Sequence, residues 1–221
     1  MKNIYRNLTV IAGCTLLLAA CSKDRLVVEP VNEFLSSNYY QTEDQVASAL
    51  IGVYDPIGWS MAYGQWISPT MMGEIRSDNA NAGGDPSNND QPGWQELDDF
   101  TNTNSNVVLH PIYRKGYIGI SRANALLDLT EIESDAVTSY KAQAQWLRAY
   151  YHFELFRHFG PIPVVNQSLT PEDMSLERGT LSEVMQQIVT DCEEALPHLP
   201  LLAPSGQEGR VTQGAAYALM G

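Results

Sequence analysis

The segment from Ala142 to Val165, AQAQWLRAYYHFELFRHFGPIPVV, constrains the fold more than any other part of the chain. Steps of three and four residues place two neighbouring stripes on one helix. The first stripe comprises Ala144, Leu147, Tyr151 and Leu155, and the second comprises Trp146, Tyr150, Phe153 and Arg157. A surface helix has one apolar stripe, so two stripes predict a helix that its neighbours cover on two sides. Gly160, Pro161 and Pro163 are expected to end it.

The composition favours a packed domain and argues against a nucleic-acid partner. Hydrophobic residues make up 44% of the 221 residues, which is enough for a substantial core. The chain carries 26 acidic and 13 basic residues, a formal net charge of −13. Binding a phosphate backbone requires clusters of Lys and Arg, and this sequence has none.

The first residues have the pattern of a bacterial lipoprotein signal. Lys2 and Arg6 form a short basic segment, and the apolar run that follows them ends at Ala20. That run is too short to span a bilayer as a helix. The small residues before Cys21 resemble a lipobox, in which the cysteine is lipidated. We therefore predict a signal peptide over 1–20, a lipid on Cys21 and an extended tether over 21–41. An ordinary secretory signal with an incidental cysteine is the alternative.

Residues 42–221 are predicted to form an all-α domain of paired helices. Thr42 with Gln45, and Thr180 with Glu183, have the spacing of capping boxes that open two of the helices. Another helix is expected from near His110 to Thr130, and its short link to the Ala142 helix favours an antiparallel pair. Cys192 falls on an apolar stripe and should face the core as a small hydrophobe. The last stripe, which follows Thr212, is still open at Gly221, so we expect further sequence.

Residues 58–109 interrupt this order and form what we call the 58–109 excursion. A stretch of this length without a sustained helical period marks either a functional loop region or disorder. Aromatic residues flank its Asn, Asp and Gly-rich centre, and disordered segments are poor in aromatics. The sequence therefore predicts an ordered, loop-rich surface region.

This excursion contains the residue types that bind sugars. Aromatic rings stack on the apolar face of a pyranose, and amides, carboxylates and Arg bond its hydroxyls. Trp94 is the leading candidate, because Pro92 and Gly93 precede it and polar residues surround it. The other candidates are Trp59, Tyr63, Trp66, Arg76, Asp78, Asn79 and Asn81. The alternative role for each tryptophan is to anchor the excursion on the helices.

Two other chemistries find less support. Oxygen ligands from Asp78 to Asp85 resemble part of a calcium loop, but Ala82 and Asn89 stand where two ligands should be. A glycoside hydrolase needs two carboxylates at a set separation, and several acids of the excursion are available. These are Glu74, Asp78, Asp85, Glu96, Asp98 and Asp99. Since acids are abundant throughout the chain, we take them as solvating groups and predict no enzyme activity, no metal and no cofactor. His152 and His158 lie on different faces of one helix, and Glu154 with His158 is predicted to be a helix-surface pair.

The sequence resembles the SusD/RagB family of Bacteroidetes outer-membrane lipoproteins. The resemblance rests first on AQWLRAYYHFEL over 144–155 and FGPIPV over 159–164. Supporting segments follow in the family's order: the lipobox at Cys21, Tyr113 to Asn124, Ile188 to Pro200 and 209–216. Members are commonly longer, so this chain is expected to be the N-terminal portion of one.

The resemblance implies a fold, a function and a partner. The fold is a tetratricopeptide-like helical-repeat domain with a loop-rich face between its first two long helices. The function is non-enzymatic capture of an oligosaccharide or polysaccharide at the cell surface, with delivery to a SusC-like TonB-dependent transporter of the outer membrane. A surface glycoside hydrolase or esterase, or a helical scaffold that binds only protein, remains the alternative.

Overall fold

The computed structural model of the protein describes residues 39–62, 65–88, 90–173 and 175–221. These residues belong to one compact unit that spans Ser36–Gly221. The predicted signal peptide, Cys21 and most of the tether lie outside the described residues, as does Tyr63. No helix in the described part of the chain is both long enough and apolar enough to cross a membrane.

The described residues are predominantly α-helical, which confirms the predicted fold class. The helices are α1 (Glu43–Tyr54), α2 (Pro69–Ile75), α3 (Pro92–Asp98), α4 (Leu109–Leu129), α5 (Asp135–Phe159), α6 (Leu181–Ala195) and α7 (Gln213–Met220). Short 3-10 turns occupy Asp55–Gly58, Pro86–Asn88, Pro171–Asp173 and Leu196–His198. Strands β1 (Met61–Ala62) and β2 (Gln65–Trp66) pair antiparallel, with Met61 opposite Trp66.

Helices α1, α4, α5, α6 and α7 form what we call the helical body, with α5 at its centre. Helix α5 packs against α1, α4 and α6, and α7 packs against α6. Helices α4 and α5 run antiparallel, because Gly116 faces Leu155 while Asn124, further along α4, contacts Arg148. The predicted helix pair is therefore present. The link between them, 130–134, is shorter than predicted, because α5 begins at Asp135. Ser134 caps the helix there by accepting the Val137 N–H.

One of the two stripes predicted on α5 is buried as expected, and the other is not. The first stripe, from Ala144 to Leu155, lies in the core. The second is only partly buried: Trp146 stacks on Tyr150 with ring centroids 5.5 Å apart, and the Arg157 side chain is exposed. The helix is nevertheless covered on a second side, because α6 packs on the face that carries Arg148. The pattern of apolar residues did not predict this buried face, because the side chain at its centre is the charged Arg148.

A buried hydrogen-bond network centred on Arg148 joins three helices. Its guanidinium makes two bonds to Asp191 of α6, at 2.9 and 2.6 Å, in the bidentate geometry that Arg favours with a carboxylate. A third nitrogen donates to Asn124 of α4 at 2.8 Å and to the Asn166 carbonyl at 2.7 Å. Arg148 thus holds α5 at a fixed distance from Asp191 of α6 and from Asn124 of α4. The network therefore specifies how the three helices pack together.

His152 lies beside this network as a neutral ring. Its Nδ1 is 2.9 Å from the Arg148 carbonyl, and its Nε2 accepts the Val165 N–H at 3.3 Å. These two partners require a proton on Nδ1 and none on Nε2. Burial lowers the pKa of His152 to about 4, which keeps the ring in this form at neutral pH.

Small residues and end caps complete the body. A Cβ on Gly116 would lie within 2.6 Å of Leu155, and one on Gly119 would overlap the Tyr151 ring. Both glycines therefore allow the close contact of α4 with α5. The capping boxes of Thr42 and Thr180 are formed as predicted. Thr212 precedes α7 but makes no side-chain cap bond.

Cys192 is buried on α6, as its stripe predicted. Burial and the neighbouring acids raise the pKa of its thiol to about 12. The thiol is therefore protonated and unreactive at neutral pH.

The 58–109 excursion is ordered where the structure describes it, and it contains more secondary structure than predicted. Helices α2 and α3 each span only seven residues, too short to give a sustained periodicity in the sequence. The excursion has a small apolar cluster of its own, which it shares with the start of α4. The cluster comprises Ile67, Met72, Ile75, Trp94, Leu97, Val108 and Ile112.

Candidate functional site

Trp94, the leading sugar-stacking candidate from the sequence, is buried. Its side chain is 1% exposed and lies in the apolar cluster of the excursion. Proline at the start of α3 begins a helix there and turns the Trp94 ring inward instead of presenting it on a loop. The structure therefore corrects the prediction: Trp94 anchors the excursion on α4 and presents no ring face to a sugar.

The other described tryptophans of the excursion lie nearer the surface. Trp66 is 46% exposed on strand β2. Trp59 is half-buried, and the Arg122 guanidinium lies 5.6 Å from the centroid of its ring. The Ile67 N–H donates to the Ser60 carbonyl at 2.9 Å, which brings the two ends of the hairpin together. Of the aromatic candidates that the structure describes, Trp59 and Trp66 are therefore the ones whose rings a ligand can reach.

The polar candidates follow α2 and serve partly to hold the loop. Arg76 donates to Asn102 at 3.3 Å and lies 5.3 Å above the Phe100 ring. Asn81 accepts the Gly83 N–H at 2.7 Å, which closes a turn. Asp78 and Asn79 are exposed. A sugar-binding role for Arg76, Asp78, Asn79 and Asn81 stays a prediction.

The loop that resembles part of a calcium loop is held by its own hydrogen bonds. The Asp85 carboxylate accepts hydrogen bonds from the N–H and hydroxyl of Ser87 and from the Asn88 amide. The two bonds from Ser87 lower the pKa of Asp85 below its usual range. Within the described ranges, no three His, Cys, Asp or Glu side chains lie close enough together to hold a metal ion.

A cavity of about 300 Å³ opens between the first residues of the excursion, α4 and the end of α5. We call it the Lys115 cavity, and Trp59 is the sugar-binding candidate that lines it. The main polar lining residues are Ser60, Ser68, Lys115, Tyr150, Glu154, Arg157 and His158. Its volume falls at the small end of the range of ligand pockets, about 300–1,000 Å³.

Lys115 fixes one wall of this cavity. Its ammonium donates to the Trp59 carbonyl at 2.9 Å and to the Ile57 carbonyl at 3.4 Å. Burial lowers the pKa of Lys115, while the negative charge of Glu154 acts in the opposite direction. The lysine therefore connects α4 to the start of the excursion and places a charge inside the cavity.

Glu154 supplies the opposite charge from the last turns of α5. Its carboxylate accepts a hydrogen bond from Arg157 at 3.1 Å, and the Arg157 Nε lies 3.0 Å from its other oxygen in an ion pair. Burial alone would raise the pKa of Glu154, but His158 and Arg157 outweigh it and hold the pKa below its usual value. Glu154 is therefore a carboxylate at neutral pH.

His158 is the third polar group of the cavity. Its side chain is 9% exposed, and its Nε2 lies 3.8 Å from the Glu154 carboxylate, which is beyond hydrogen-bond distance. This nitrogen has no hydrogen-bond partner among the described residues. The predicted pair of Glu154 and His158 is present as an i,i+4 ion-pair contact. It lies in a cavity wall and not on the helix surface, because the excursion folds over this end of α5.

The sequence held little signal for this cavity. Helical spacing shows that Glu154, Arg157 and His158 share one side of α5, but not that a distant loop covers that side. Nor does the spacing along α4 show that Lys115 reaches the backbone carbonyls of Ile57 and Trp59.

Several acids of the excursion bond to the protein itself. Asp98 accepts the Ala82 N–H at 2.9 Å, and Glu96 accepts the Asn106 amide at 2.8 Å. These two carboxylates stabilise loop backbone and a buried asparagine.

Comparison with known proteins identifies the family. A family model described as "Starch-binding associating with outer membrane", of SusD-like type, matches residues 26–221. SusD-like protein P2 of Formosa agariphila is 24% identical over 190 residues, which cover 84% of this chain and 36% of that protein.

Two solved structures share the fold. Surface glycan-binding protein A from Bacteroides uniformis is 30% identical with a TM-score of 0.73, over 81% of this chain and 41% of that one. A laminarin-binding SusD-like protein is 28% identical with a TM-score of 0.72, over 82% of this chain and 39% of that one. The chain spans less than half the length of each of these proteins. It belongs to the SusD-like family of outer-membrane-associated, carbohydrate-binding proteins.

Proposed function

We propose that this chain binds a glycan at the cell surface and contributes to its delivery to a SusC-like TonB-dependent transporter. The observation that carries the proposal is the pairing of exposed Trp66 with an adjacent cavity that contains Trp59, a carboxylate and two basic side chains. Stacking surfaces beside hydrogen-bonding groups are what sugar recognition requires. The similarity to two glycan-binding proteins, one of them named for laminarin, supports the same conclusion.

Glycan binding can be tested by affinity electrophoresis of the full chain in gels that contain laminarin or other neutral polysaccharides. We expect retardation by at least one of them. Trp66→Ala should weaken that binding about tenfold, since it removes an exposed ring. Tyr217→Ala is the matched control, because Tyr217 is an exposed ring on α7 and should be dispensable. Lack of retardation in every gel, or unaltered binding by Trp66→Ala, would overturn the assignment.

The proposed anchor is a lipid on Cys21. Cells that express the full chain and are fed an alkyne-tagged fatty acid should label the protein, and Cys21→Ala should abolish the label. Proteolysis of intact cells then distinguishes an outward-facing protein from a periplasmic one. Co-purification from detergent-solubilised membranes tests the transporter partner.

We propose that the protein acts without hydrolysing its ligand. The purified full chain should release no reducing sugar from a polysaccharide that it binds. Reducing-sugar release that Glu154→Gln abolishes would favour the hydrolase alternative.

A further inference from the structure

The Lys115 cavity has the shape of a site for one small residue instead of an extended chain. Its inner end is closed by buried side chains of α4 and α5, among them Ile112, Tyr151 and Leu155. Exposed Gly58 and Ser60 lie on its other side, where the excursion begins. A groove for a long polysaccharide would need to be open at two ends, whereas this cavity is small and walled by two helices.

Three polar groups inside the cavity retain bonding capacity. The His158 side chain is nine-tenths buried, and its Nε2 has no hydrogen-bond partner in the described part of the chain, although the Glu154 carboxylate lies 3.8 Å away. The Glu154 carboxylate accepts one hydrogen bond from Arg157 and lies in ion-pair contact with it, which leaves lone pairs free for a ligand. Lys115 has three donors and gives two of them to backbone carbonyls. Since a buried nitrogen without a partner is costly, a ligand that bonds His158 gains affinity from it.

The separation of these groups suits hydroxyls. The 3.8 Å gap between the His158 Nε2 and the Glu154 carboxylate is too long for a direct hydrogen bond. Neighbouring hydroxyls on a sugar ring can each act as donor and acceptor, so one can donate to Glu154 while the next bonds His158. Lys115 can donate to either oxygen.

Ionic ligands bear a cost in this cavity that a neutral ligand does not. A uronic acid or an amino sugar would have to give up the hydration of its own charge beside the ion pair of Glu154 with Arg157. Each would also meet a like charge there as well as an opposite one. A neutral polyol meets neither penalty, and the half-buried Tyr150 and Trp59 supply apolar wall for its C–H face.

We propose that the Lys115 cavity is a subsite for a single neutral hexopyranose residue of the glycan, held by adjacent hydroxyls between Glu154, His158 and Lys115. The inference rests on the proposed glycan-binding function and adds to it the sugar class and the residues of a second contact, separate from Trp66.

Saturation-transfer NMR on the full chain tests this subsite with small probes. The probes are the methyl glycosides of glucose, galactose and mannose, with methyl glucuronide and methyl glucosaminide as charged comparisons. We expect transfer to at least one neutral glycoside, centred on adjacent ring protons, and none to the charged ones. Glu154→Gln, which keeps the shape of the side chain, and His158→Gln should each reduce that signal at least fivefold.

Glu193→Gln is the control, because Glu193 is an exposed acid on α6. Thermal denaturation of each variant shows whether the fold is retained, and either of the two cavity variants alone suffices for the comparison. A neutral-glycoside signal unchanged in folded Glu154→Gln or His158→Gln, preference for the glucuronide, or no signal from any neutral glycoside would overturn the subsite. If polysaccharide is still retained in the gels, that result refutes the subsite alone; if retention is absent too, the glycan-binding function also fails.

Discussion

The helical body and the 58–109 excursion are both ordered around buried side chains, but they achieve this in different ways. The body has long helices, a large apolar core and a buried ion pair. The excursion has two seven-residue helices, a two-stranded hairpin and a small apolar cluster. Its backbone relies on side-chain bonds, such as those of buried Asn106 to the Gly93 carbonyl and the Val108 N–H.

Because of this difference, the helical body can provide stability while the excursion provides the residues for recognition. Many redundant contacts fix the body, whereas a few residues fix the excursion, so loop side chains there can change without refolding the helices. The Lys115 cavity forms where the two regions meet, with rigid helices on one side and a loop on the other. The predictions below test whether the two regions are as distinct as the structure indicates.

The largest effect is expected from Asp191→Ala in the body. The substitution leaves the buried Arg148 guanidinium without its carboxylate, which should reduce the free energy of unfolding by about 3–5 kcal/mol. Urea denaturation followed by circular dichroism measures it. Glu193→Gln on the same helix should change the value by less than about 0.5 kcal/mol. Equal stability of Asp191→Ala and the unsubstituted chain would show that the network does not hold the helices together.

Trp94→Ala should act on the excursion instead. Removing a fully buried indole costs about 3 kcal/mol or slightly more. Hydrogen exchange should therefore accelerate in α2 and α3 while α5 stays protected. Trp94→Phe should accelerate exchange in α2 and α3 much less, since it keeps a buried aromatic ring. Equal acceleration in α5 would mean that the two regions unfold as one unit.

The neutral form of His152 predicts a dependence of the body's stability on pH. The unfolded ring takes up a proton near pH 6.5, but the folded ring does so only near pH 4. Stability is therefore complete above pH 6.5 and falls as the pH is lowered, by up to about 3 kcal/mol at pH 4. NMR should show the His152 ring neutral until the pH approaches 4, with His152→Gln assigning the signal. A transition of this ring at pH 6.5 would contradict the buried geometry.

The smallest effects come from a pair of glycine substitutions. Gly119→Ala forces a methyl group against the Tyr151 ring and should destabilise the body by about 1–3 kcal/mol. Gly52→Ala on α1 meets open space and should stabilise it by about 0.5–1 kcal/mol through helix propensity. Thermal melting of both variants gives the comparison, and stabilisation by Gly119→Ala as well as by Gly52→Ala would show that α4 and α5 are less closely packed than the structure has them.

Most of the body followed from the sequence, because its signals are local. The capping boxes at Thr42 and Thr180 and the stripe from Ala144 to Leu155 depend on residues within a few turns of each other. The Arg148 to Asp191 pair joins residues 43 positions apart, and helical periodicity carries no information about such partners.

The site was harder to predict than the body. Trp94 and Trp66 occupy similar polar surroundings in the sequence, yet one is buried and the other is 46% exposed. Which ring faces outward depends on how α3 packs on α4, a tertiary outcome. The cavity groups Lys115, Glu154 and His158 meet where α4 packs on α5, and the start of the excursion covers them; no local pattern specifies either contact.

The most direct test of the account is hydrogen exchange of the full chain with and without a polysaccharide that retards it in the gels. The account predicts slower exchange in the excursion, over 57–62 and 65–68, with no change in α6 and α7. Protection confined to α6 and α7, or no protection at saturating glycan, would contradict it.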